Sequence, residues 1–188
     1  MDKPRAWIFD IDGTVALWGD GPDTVPNLPV IAIYNLLYLQ NAVKPIFLTG
    51  RRAEYHAETL EELKRLGILG SPEVYFCRTG WGDVRSLQEE KKEIYLAFIK
   101  PNYEVEFILD DVWEVIEVFG EMGIPGAIVE VSRDLSKKME KAWKAREARN
   151  GEGCEKNEKS KESSESSVGN RQRGVFRNFD PSGLGSNS

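Results

Sequence analysis

The chain has 188 residues, of which 40% are apolar, and this is enough for one domain with a hydrophobic core. Its formal net charge of −6 argues against a protein that coats nucleic acid, although a few arginine side chains suffice to recognise a nucleic-acid end. Apolar runs stay shorter than the roughly 18–20 residues that span a membrane, and Cys77 and Cys154 form no disulfide framework, which is typical of a reducing compartment. We therefore expect a soluble, intracellular protein that is located in the cytoplasm and has no membrane partner.

Short apolar runs alternate with stretches of helical periodicity between residues 6 and 131. In chain order we predict a strand at 6–9, a helix at 28–39, a strand at 43–48, a helix at 53–66, a strand at 74–77, a helix at 88–99, a strand at 105–109, a helix at 112–122, a strand at 127–131 and a charged helix at about 135–148. Strands that alternate with helices indicate an α/β fold, here a Rossmann-like three-layer sandwich with a central parallel sheet.

The composition of the chain changes near residue 148. Residues 149–188 are almost all Ser, Glu, Lys, Gly, Asn and Arg. Polar, low-complexity segments of this kind cannot bury enough apolar surface to fold. We therefore predict one folded domain at residues 1–148 and a disordered polar C-terminal tail at residues 149–188.

Polar residues follow three of the predicted strands at the point where each strand ends. They are the segment Asp10–Thr14, the segment Thr49–Arg51, and Asp110 with Asp111. Because ligands bind at the carboxyl ends of parallel strands, we expect these residues to converge. Up to four carboxylates would then repel one another in a partly buried site, and a divalent cation would neutralise them. Oxygen ligands favour Mg²⁺, and the sequence has no Cys/His spacing that would bind zinc.

These motifs, in this order, resemble those of the haloacid dehalogenase (HAD) superfamily of phosphatases. The resemblance rests on Phe9–Val15, on Thr49 with Gly50, on a helical lysine and on Asp110–Asp111. It covers about residues 6–131 and implies the HAD fold. It also implies a phosphomonoesterase that works through an aspartyl-phosphate intermediate.

The resemblance implies a role for each motif residue. Asp10 would be the nucleophile that attacks phosphorus, and Asp12 would be the general acid and base. Thr49 would join them as a catalytic residue, because its hydroxyl would hold a phosphoryl oxygen. The implied phosphate-binding residues are Gly13, Thr49, Gly50 and the helical lysine. The implied ligands of a Mg²⁺ cofactor are Asp10, the carbonyl of Asp12, Asp110 and Asp111.

The helical lysine balances the charge of the phosphoryl group, and the predicted helix offers Lys91 and Lys92. Neighbouring helix positions point about 100° apart, so only one of the two can face the site. Ile94, Tyr95 and Phe98 define the apolar face of this helix, and Lys91 lies on that face. We therefore predict Lys91 as the catalytic and phosphate-binding lysine.

The sequence offers no other familiar catalytic system. His56, the only histidine, lies on a charged helix and is predicted to be a surface residue. Cys77 ends an apolar strand and is predicted to lie in the core. A Gly-rich loop with Gly-Lys-Ser/Thr is absent from the sequence, which excludes a nucleotide-dependent kinase module within this chain.

The chain resembles more closely the 3′-phosphatase domain of phage-type polynucleotide kinases. The matching segments are Ile8–Ala16, Thr49–Arg51, Cys77–Arg78, Gly82–Arg85, Lys91 with Glu93–Ile94, and Ile108–Asp111. That family often has Ser at the position of Thr49, which keeps the hydroxyl. The acidic residues that it tends to carry just before its lysine are displaced here to Glu89 and Glu90, and the partner kinase domain has no counterpart in this sequence.

The implied activity is removal of a 3′-phosphate from DNA, RNA or a nucleoside 3′-phosphate. No large cap domain is expected, and an open site admits a nucleic-acid end. The loop residues Arg51, Arg78 and Arg85 could contact substrate phosphates, and Trp81 could stack on a base. Each arginine could equally form a structural ion pair, and Trp81 could pack locally. The alternatives are a phosphatase for small molecules such as nucleoside monophosphates and a non-catalytic phosphate-binding module, and the oligomeric state is left open.

Overall fold

The computed structural model describes residues 2–17, 24–78, 85–131 and 137–145. Trp81, the side chain of Arg78 and the tail at 149–188 lie outside the described residues, so the predictions for them and for the domain boundary stay predictions. None of the helices within the described ranges has the length and apolar character needed to cross a membrane. The cytoplasmic location also stays a prediction.

The described part of the chain contains one sheet with helices on its faces. The strands are β1 Arg5–Phe9, β2 Lys44–Arg52, β3 Val74–Arg78, β4 Glu104–Asp110 and β5 Gly126–Ile128. The helices are α1 Leu28–Gln40, α2 His56–Leu66, α3 Leu87–Ile94 and α4 Trp113–Glu121. A 3₁₀ turn at Ala53–Tyr55 precedes α2, and a π-helical segment at Tyr95–Ile99 continues α3. Residues 137–145 are also helical.

All four neighbouring strand pairs are parallel, in the order β3-β2-β1-β4-β5. β1 lies at the centre, and the chain moves to one side of it through β2 and β3 and to the other through β4 and β5. The carboxyl end of β1 is therefore the point where the strand order reverses, and a crevice at such a point is the usual ligand site of an open α/β sheet. The predicted fold class is confirmed.

The core lies on both faces of the sheet, since successive strand residues point to opposite sides. Phe9 belongs to a cluster with side chains of α1 and α2, and its ring lies 5.4 Å from that of Tyr34. Its neighbour Ile8 belongs to the opposite cluster, where Tyr95 and Phe119 of the α3 and α4 layer pack 5.2 Å apart. Helices thus cover both faces, which gives the three layers that the sequence predicted.

The insertions between the first strands are small. Between β1 and β2 the described residues contain a loop and α1, and between β2 and β3 they contain the 3₁₀ turn and α2. Neither stretch holds a cap domain within the described ranges. The edge of the sheet where β1 and β2 end is therefore not covered by a large insertion between these strands.

Two predicted strand boundaries are wrong. β2 does not end at residue 48 but continues to Arg52, and β5 covers Gly126–Ile128 rather than 127–131. In β2, Thr49 pairs with Phe76 and Arg52 pairs with Arg78, so β2 carries one more residue than β3 over this stretch. Such a bulge lets the strand continue through Gly50, although the apolar run stops there.

Candidate active site

Asp10 follows β1 at the centre of the sheet and is 4% exposed. Its backbone N–H donates to the carbonyl of Leu109 in β4 at 2.9 Å, which fixes it beside the end of that strand. The chain then turns sharply, because the carbonyl of Ile11 accepts hydrogen bonds from the N–H groups of Val15 and Ala16 at 2.9 and 2.8 Å. This turn holds the residues after Asp10 over the carboxyl edge of the sheet.

Lys91 joins two carboxylates across this edge. Its ammonium lies 2.7 Å from Oδ1 of Asp10 and 2.5 Å from Oδ2 of Asp110, and Lys91 is fully buried. Asp110 also accepts a hydrogen bond from the backbone N–H of Val112 at 3.0 Å. The lysine predicted from the sequence therefore lies beside the predicted nucleophile.

Two features of α3 place Lys91 there. At the start of the helix, the backbone N–H and the hydroxyl of Ser86 both donate to the Glu89 carboxylate, at 3.1 and 2.9 Å, in a capping box. Close packing brings the first turn against β2, because a Cβ on Gly50 would lie 2.7 Å from Cδ1 of Leu87. Glu89, one of the displaced acidic residues, thus has a structural partner on its own helix.

The π-helical segment corrects one part of the prediction for this helix. Lys91, Tyr95 and Ile99 are buried, whereas Phe98 is 54% exposed and does not belong to the apolar face. A π turn takes one residue more than an α turn, so the buried positions recur every four residues. Lys91 keeps the predicted face because Tyr95 still defines it.

Burial raises the pKa of Asp10, the positive charge of Lys91 lowers it, and the negative charge of Asp110 raises it again, with a net increase to about 7. Burial lowers the pKa of Lys91, but the charges of Asp10 and Asp110 outweigh this and raise it above its ordinary value. Burial, followed by the charge of Asp110, likewise raises the pKa of Asp111. This edge of the sheet therefore carries negative charge that one lysine does not neutralise.

Asp10, Asp110 and Asp111 could hold a metal ion. Each offers a carboxylate oxygen, and these oxygens all lie within 4.8 Å of one another. Asp10 and Asp110 are buried, and Asp111 is exposed. A donor set made only of oxygens, with uncompensated negative charge, fits Mg²⁺. No histidine or cysteine belongs to the metal-ligand group formed by the described residues.

Gly13 approaches the acidic cluster more closely than any other residue type could. Its φ is +86°, in the left-handed region that favours glycine. A Cβ at this position would lie 2.0 Å from Oδ2 of Asp111. The resemblance implied that Gly13 binds the phosphate, and in the structure its lack of a side chain makes room for Asp111.

Thr49 and Arg51 lie at the end of β2, next to the turn after Asp10. Thr49 is fully buried, and its hydroxyl oxygen accepts a hydrogen bond from the backbone N–H of Arg51 at 3.2 Å. The Arg51 guanidinium donates to both carboxylate oxygens of Asp12. The structure thus brings Arg51 to the predicted general acid, and it reaches Glu62 as well.

Arg85, predicted to bind the substrate, forms a salt bridge with Glu93 on α3.

Cys77 was predicted to lie in the core, and it is buried. Burial raises the pKa of its thiol to about 12, which makes it a poor nucleophile. His56 is exposed, as expected.

The sequence interpretation missed the residues behind Arg51. Glu62 is 15% exposed and Thr59 1% exposed, and both lie on α2 and contact the Arg51 guanidinium. A threonine on an amphipathic helix gives no sequence signal that it contacts an arginine in a distant strand. The capping box at Ser86 and Glu89 was visible as Ser-Leu-Gln-Glu, which is a known helix start signal.

Residues 4–133 match the family described as the polynucleotide kinase PNKP phosphatase domain. The chain belongs to this family. The predicted membership of the HAD superfamily and the resemblance to the phosphatase domain of polynucleotide kinases are confirmed, and the chain is a HAD-type phosphatase, a phosphomonoesterase.

Two solved structures are similar to this member of the PNKP phosphatase family. One is described as the structure of the Pnkp1/Rnl/Hen1 RNA repair complex, with 28% identity, a TM-score of 0.60, and coverage of 70% of this chain and 44% of that chain. The other is described as the structure of the Pnkp1/Rnl/Hen1 complex, with 32% identity, a TM-score of 0.59, and coverage of 68% and 46%. The chain thus spans less than half the length of the proteins that it matches.

Proposed function

We propose that this phosphatase removes 3′-phosphates from nucleic-acid ends or nucleotides, that it depends on Mg²⁺, and that Asp10 forms an aspartyl-phosphate. The observation that carries the proposal is the contact of buried Lys91 with Asp10 and Asp110. Asp12, whose carboxylate is exposed, follows Asp10 by two residues in the chain. Membership of the PNKP phosphatase family supports a polynucleotide substrate.

In the first step, a carboxylate oxygen of Asp10 forms a bond to phosphorus while the bond from phosphorus to the 3′ oxygen breaks. Asp12 in its protonated form gives its proton to the leaving 3′ oxygen. Lys91 lies beside Asp10 and neutralises charge on the phosphoryl oxygens. Thr49 and the backbone at Gly50 hold the remaining oxygens. Gly13, whose N–H donates to the carbonyl of Ala16 at 2.7 Å, lets the backbone pass close to the phosphate.

In the second step, water attacks the phosphorus of the aspartyl-phosphate. Asp12, now a carboxylate, takes a proton from this water, and the bond between phosphorus and Asp10 breaks. Inorganic phosphate leaves, and both carboxyl groups return to their starting states. Asp12 thus serves as the acid in one step and the base in the next.

A Mg²⁺ ion would be held by Asp10, Asp110 and Asp111, together with the carbonyl of Asp12. When bound, it supplies positive charge that offsets the carboxylates and the phosphoryl oxygens. The same charge would favour the ionised form of Asp10, whose pKa burial otherwise raises to about 7.

The test is release of inorganic phosphate from a matched panel: one oligonucleotide with a 3′-phosphate, the same sequence with a 5′-phosphate, nucleoside 3′- and 5′-monophosphates, and small sugar phosphates. We expect the 3′-phosphorylated oligonucleotide to be hydrolysed fastest, only with Mg²⁺, and not at all by Asp10→Asn. Fast turnover of small phosphates with no release from the 3′-phosphorylated oligonucleotide would contradict the substrate assignment and favour the small-molecule alternative.

The covalent intermediate has its own measurement. Acid quenching of a reaction with a ³²P-labelled 3′-phosphate should leave label on the protein, and Asp10→Asn should carry none. The label should be sensitive to hydroxylamine, which cleaves acyl phosphates. Turnover without any labelled protein, under conditions where dephosphorylation is slow, would exclude the aspartyl-phosphate route.

A further inference from the structure

The Arg51 guanidinium is surrounded by acceptors. Its Nε lies 2.9 Å from Oδ2 of Asp12, and its Nη2 lies 2.7 Å from Oδ1 of the same carboxylate. On its other side, Nη1 lies 2.6 Å from Oε2 of Glu62 and 3.4 Å from the hydroxyl oxygen of Thr59. The guanidinium is thus held at both ends, by α2 on one side and by Asp12 on the other.

The bulge in β2 aims Arg51 in this direction. The pairing of β2 with β3 shifts by one residue between Thr49 and Arg52, and Arg51 lies inside the shifted stretch. A bulge changes the direction in which a strand side chain points, and bulges are frequent beside active sites. The chain therefore departs from regular strand geometry at the residue that contacts Asp12.

These contacts occupy most of the hydrogen-bonding capacity of Arg51. Guanidinium has five N–H donors. The paired Nε and Nη2 donors form the fork that binds a carboxylate or a phosphate with two parallel hydrogen bonds, and here Asp12 occupies that fork. Nη1 donates hydrogen bonds to Glu62 and Thr59. A substrate phosphate could use the fork only by displacing Asp12.

Asp12 itself needs such a partner. Its side chain is 58% exposed, and an exposed aspartate can occupy several rotamers in water. A general acid must keep its proton within hydrogen-bond reach of the leaving oxygen. A bidentate arginine fixes both the position and the plane of the carboxylate.

We propose that Arg51 is a positioning residue that acts through Asp12, with Glu62 and Thr59 holding the guanidinium in place. This inference rests on the proposed function, in which Asp12 is the general acid and base. It differs from the sequence interpretation, which assigned Arg51 to contact with the substrate. The two roles make different predictions for the same variants.

The first experiment compares two leaving groups. The value of kcat/KM covers the steps up to departure of the leaving group, and p-nitrophenolate departs without a proton, whereas the 3′ oxygen of a nucleotide needs one. We expect Arg51→Ala to lower kcat/KM for a 3′-phosphorylated oligonucleotide at least about tenfold and to change kcat/KM for p-nitrophenyl phosphate less than about threefold. An equal loss on both substrates would overturn the proposal.

The second experiment is a double-mutant cycle that separates positioning from direct contact with the substrate. Asp12→Asn alone should lower kcat/KM for the oligonucleotide by about 10²–10⁴. If Arg51 acts through Asp12, adding Arg51→Ala to this variant lowers kcat/KM less than about twofold more. If Arg51 contacts the substrate directly, the second substitution costs the same factor as in the wild type, and the proposal fails.

Glu62→Gln provides a second variant in case Arg51→Ala does not fold. It removes only the charge behind Arg51, so a smaller loss of kcat/KM is expected, again larger for the oligonucleotide than for p-nitrophenyl phosphate. Glu62→Gln with no difference between the two substrates would count against the proposal. Arg52→Ala is the matched control, because Arg52 lies next in β2 and pairs with Glu54 instead, and both kcat/KM values should stay at the wild-type level.

Failure of this inference is distinguishable from failure of the proposed function. If the wild type releases no phosphate from the 3′-phosphorylated oligonucleotide, the proposed function is wrong and the inference falls with it. If the wild type is active and Asp12→Asn is impaired, but Arg51→Ala and Asp12→Asn contribute independent factors, only the positioning role is wrong. A melting temperature measured for each variant identifies losses caused by unfolding.

Discussion

At the scale of single residues, the central feature of the site is one lysine ammonium between two buried carboxylates. Taking charges out of water is costly, and the attraction within a buried pair only roughly balances that cost. The contacts of Lys91 with Asp10 and Asp110 therefore hold the proposed nucleophile and the proposed metal ligand in place without adding much stability. A divalent cation would supply the positive charge that is still missing.

Replacement of Lys91 tests this balance. Lys91→Met leaves Asp10 and Asp110 buried without their counter-charge, and removal of one partner from a buried pair typically costs about 3–5 kcal/mol. We expect the free energy of unfolding, measured by urea titration in metal-free buffer, to fall by about that amount and phosphate release to be lost. Lys92→Met is the control and should leave the free energy of unfolding within about 0.5 kcal/mol of the wild type. Equal stability of Lys91→Met and wild type would contradict the ion pairs.

The metal site makes a separate prediction. A ligand that binds only the folded state at 100 times its dissociation constant stabilises it by about 2.7 kcal/mol. Mg²⁺ should therefore raise the melting temperature of the wild type but not that of Asp111→Asn. In metal-free buffer Asp111→Asn should be no less stable than the wild type, because partial burial of the carboxylate and the negative charge of Asp110 already disfavour the charged form of this side chain. An unchanged response of Asp111→Asn to Mg²⁺ would exclude Asp111 as a ligand.

The residue types and the main contacts at this edge could be predicted from the sequence, but the orientation of Arg51 could not. Asp10 and Asp110 were predicted as site residues because each ends an apolar strand, and Lys91 because it shares a helix face with Tyr95. The contact between Arg51 and Asp12 depends on one extra residue in the pairing of β2 with β3, and no composition rule gives the position of a bulge.

Among elements, α3 has the strictest geometric task, because its first two turns must bring Lys91 to the end of β1. The capping box fixes the start of the helix, and the π-helical segment sets the phase of its far end. Periodicity predicted a single helix at 88–99, since an α-helical repeat and a π turn differ by only one residue per turn. The exposure of Phe98 is the visible result of that difference.

The cap of α3 can be tested without touching the site. Glu89→Ala removes the acceptor for the Ser86 N–H and hydroxyl, whereas Glu89→Gln keeps a side-chain oxygen that can accept both. We expect Glu89→Ala to lower the melting temperature by about 2–4 °C, because loss of a cap is a modest effect in a domain of this size, and Glu89→Gln to lower it less. Hydrogen exchange should show faster opening of the first turn of α3 in Glu89→Ala. Identical behaviour of the two variants would mean that the box does not stabilise this turn.

Across the whole described domain, the two edges of the sheet have different tasks. The carboxyl edge brings together the buried carboxylates of the candidate active site, and the amino edge is held together by polar contacts at the surface. There, Glu73 accepts hydrogen bonds from Lys44 of β2, Tyr75 of β3 and Tyr103, which precedes β4. The alternation of strands and helices predicted the parallel sheet, but the contacts of its amino edge depend on strand order, which periodicity alone does not give.

The amino edge should make stability depend on pH in the acid range. Burial opposes ionisation of Glu73, but hydrogen bonds from Lys44, Tyr75 and Tyr103 outweigh it and hold its pKa below the ordinary value of 4.5. A group whose pKa is lower in the folded state stabilises the protein above its unfolded pKa and loses that contribution as the pH falls through the folded pKa. Because Lys44 remains 46% exposed, solvent limits the contribution to about 0.5–1 kcal/mol.

Glu73→Gln removes this contribution. We expect the variant to be less stable than the wild type by about 0.5–1 kcal/mol near pH 7. The difference should shrink as the pH falls below 4.5 and through the lowered pKa of Glu73 in the folded state. Urea titrations across this range measure the difference directly, and Glu104→Gln, at an exposed position at the start of β4, serves as the control. A stability difference that does not shrink over the whole acid range in which the wild type stays folded would show that Glu73 acts through its shape and hydrogen bonds and not through its charge, since only the charged form is lost on acidification.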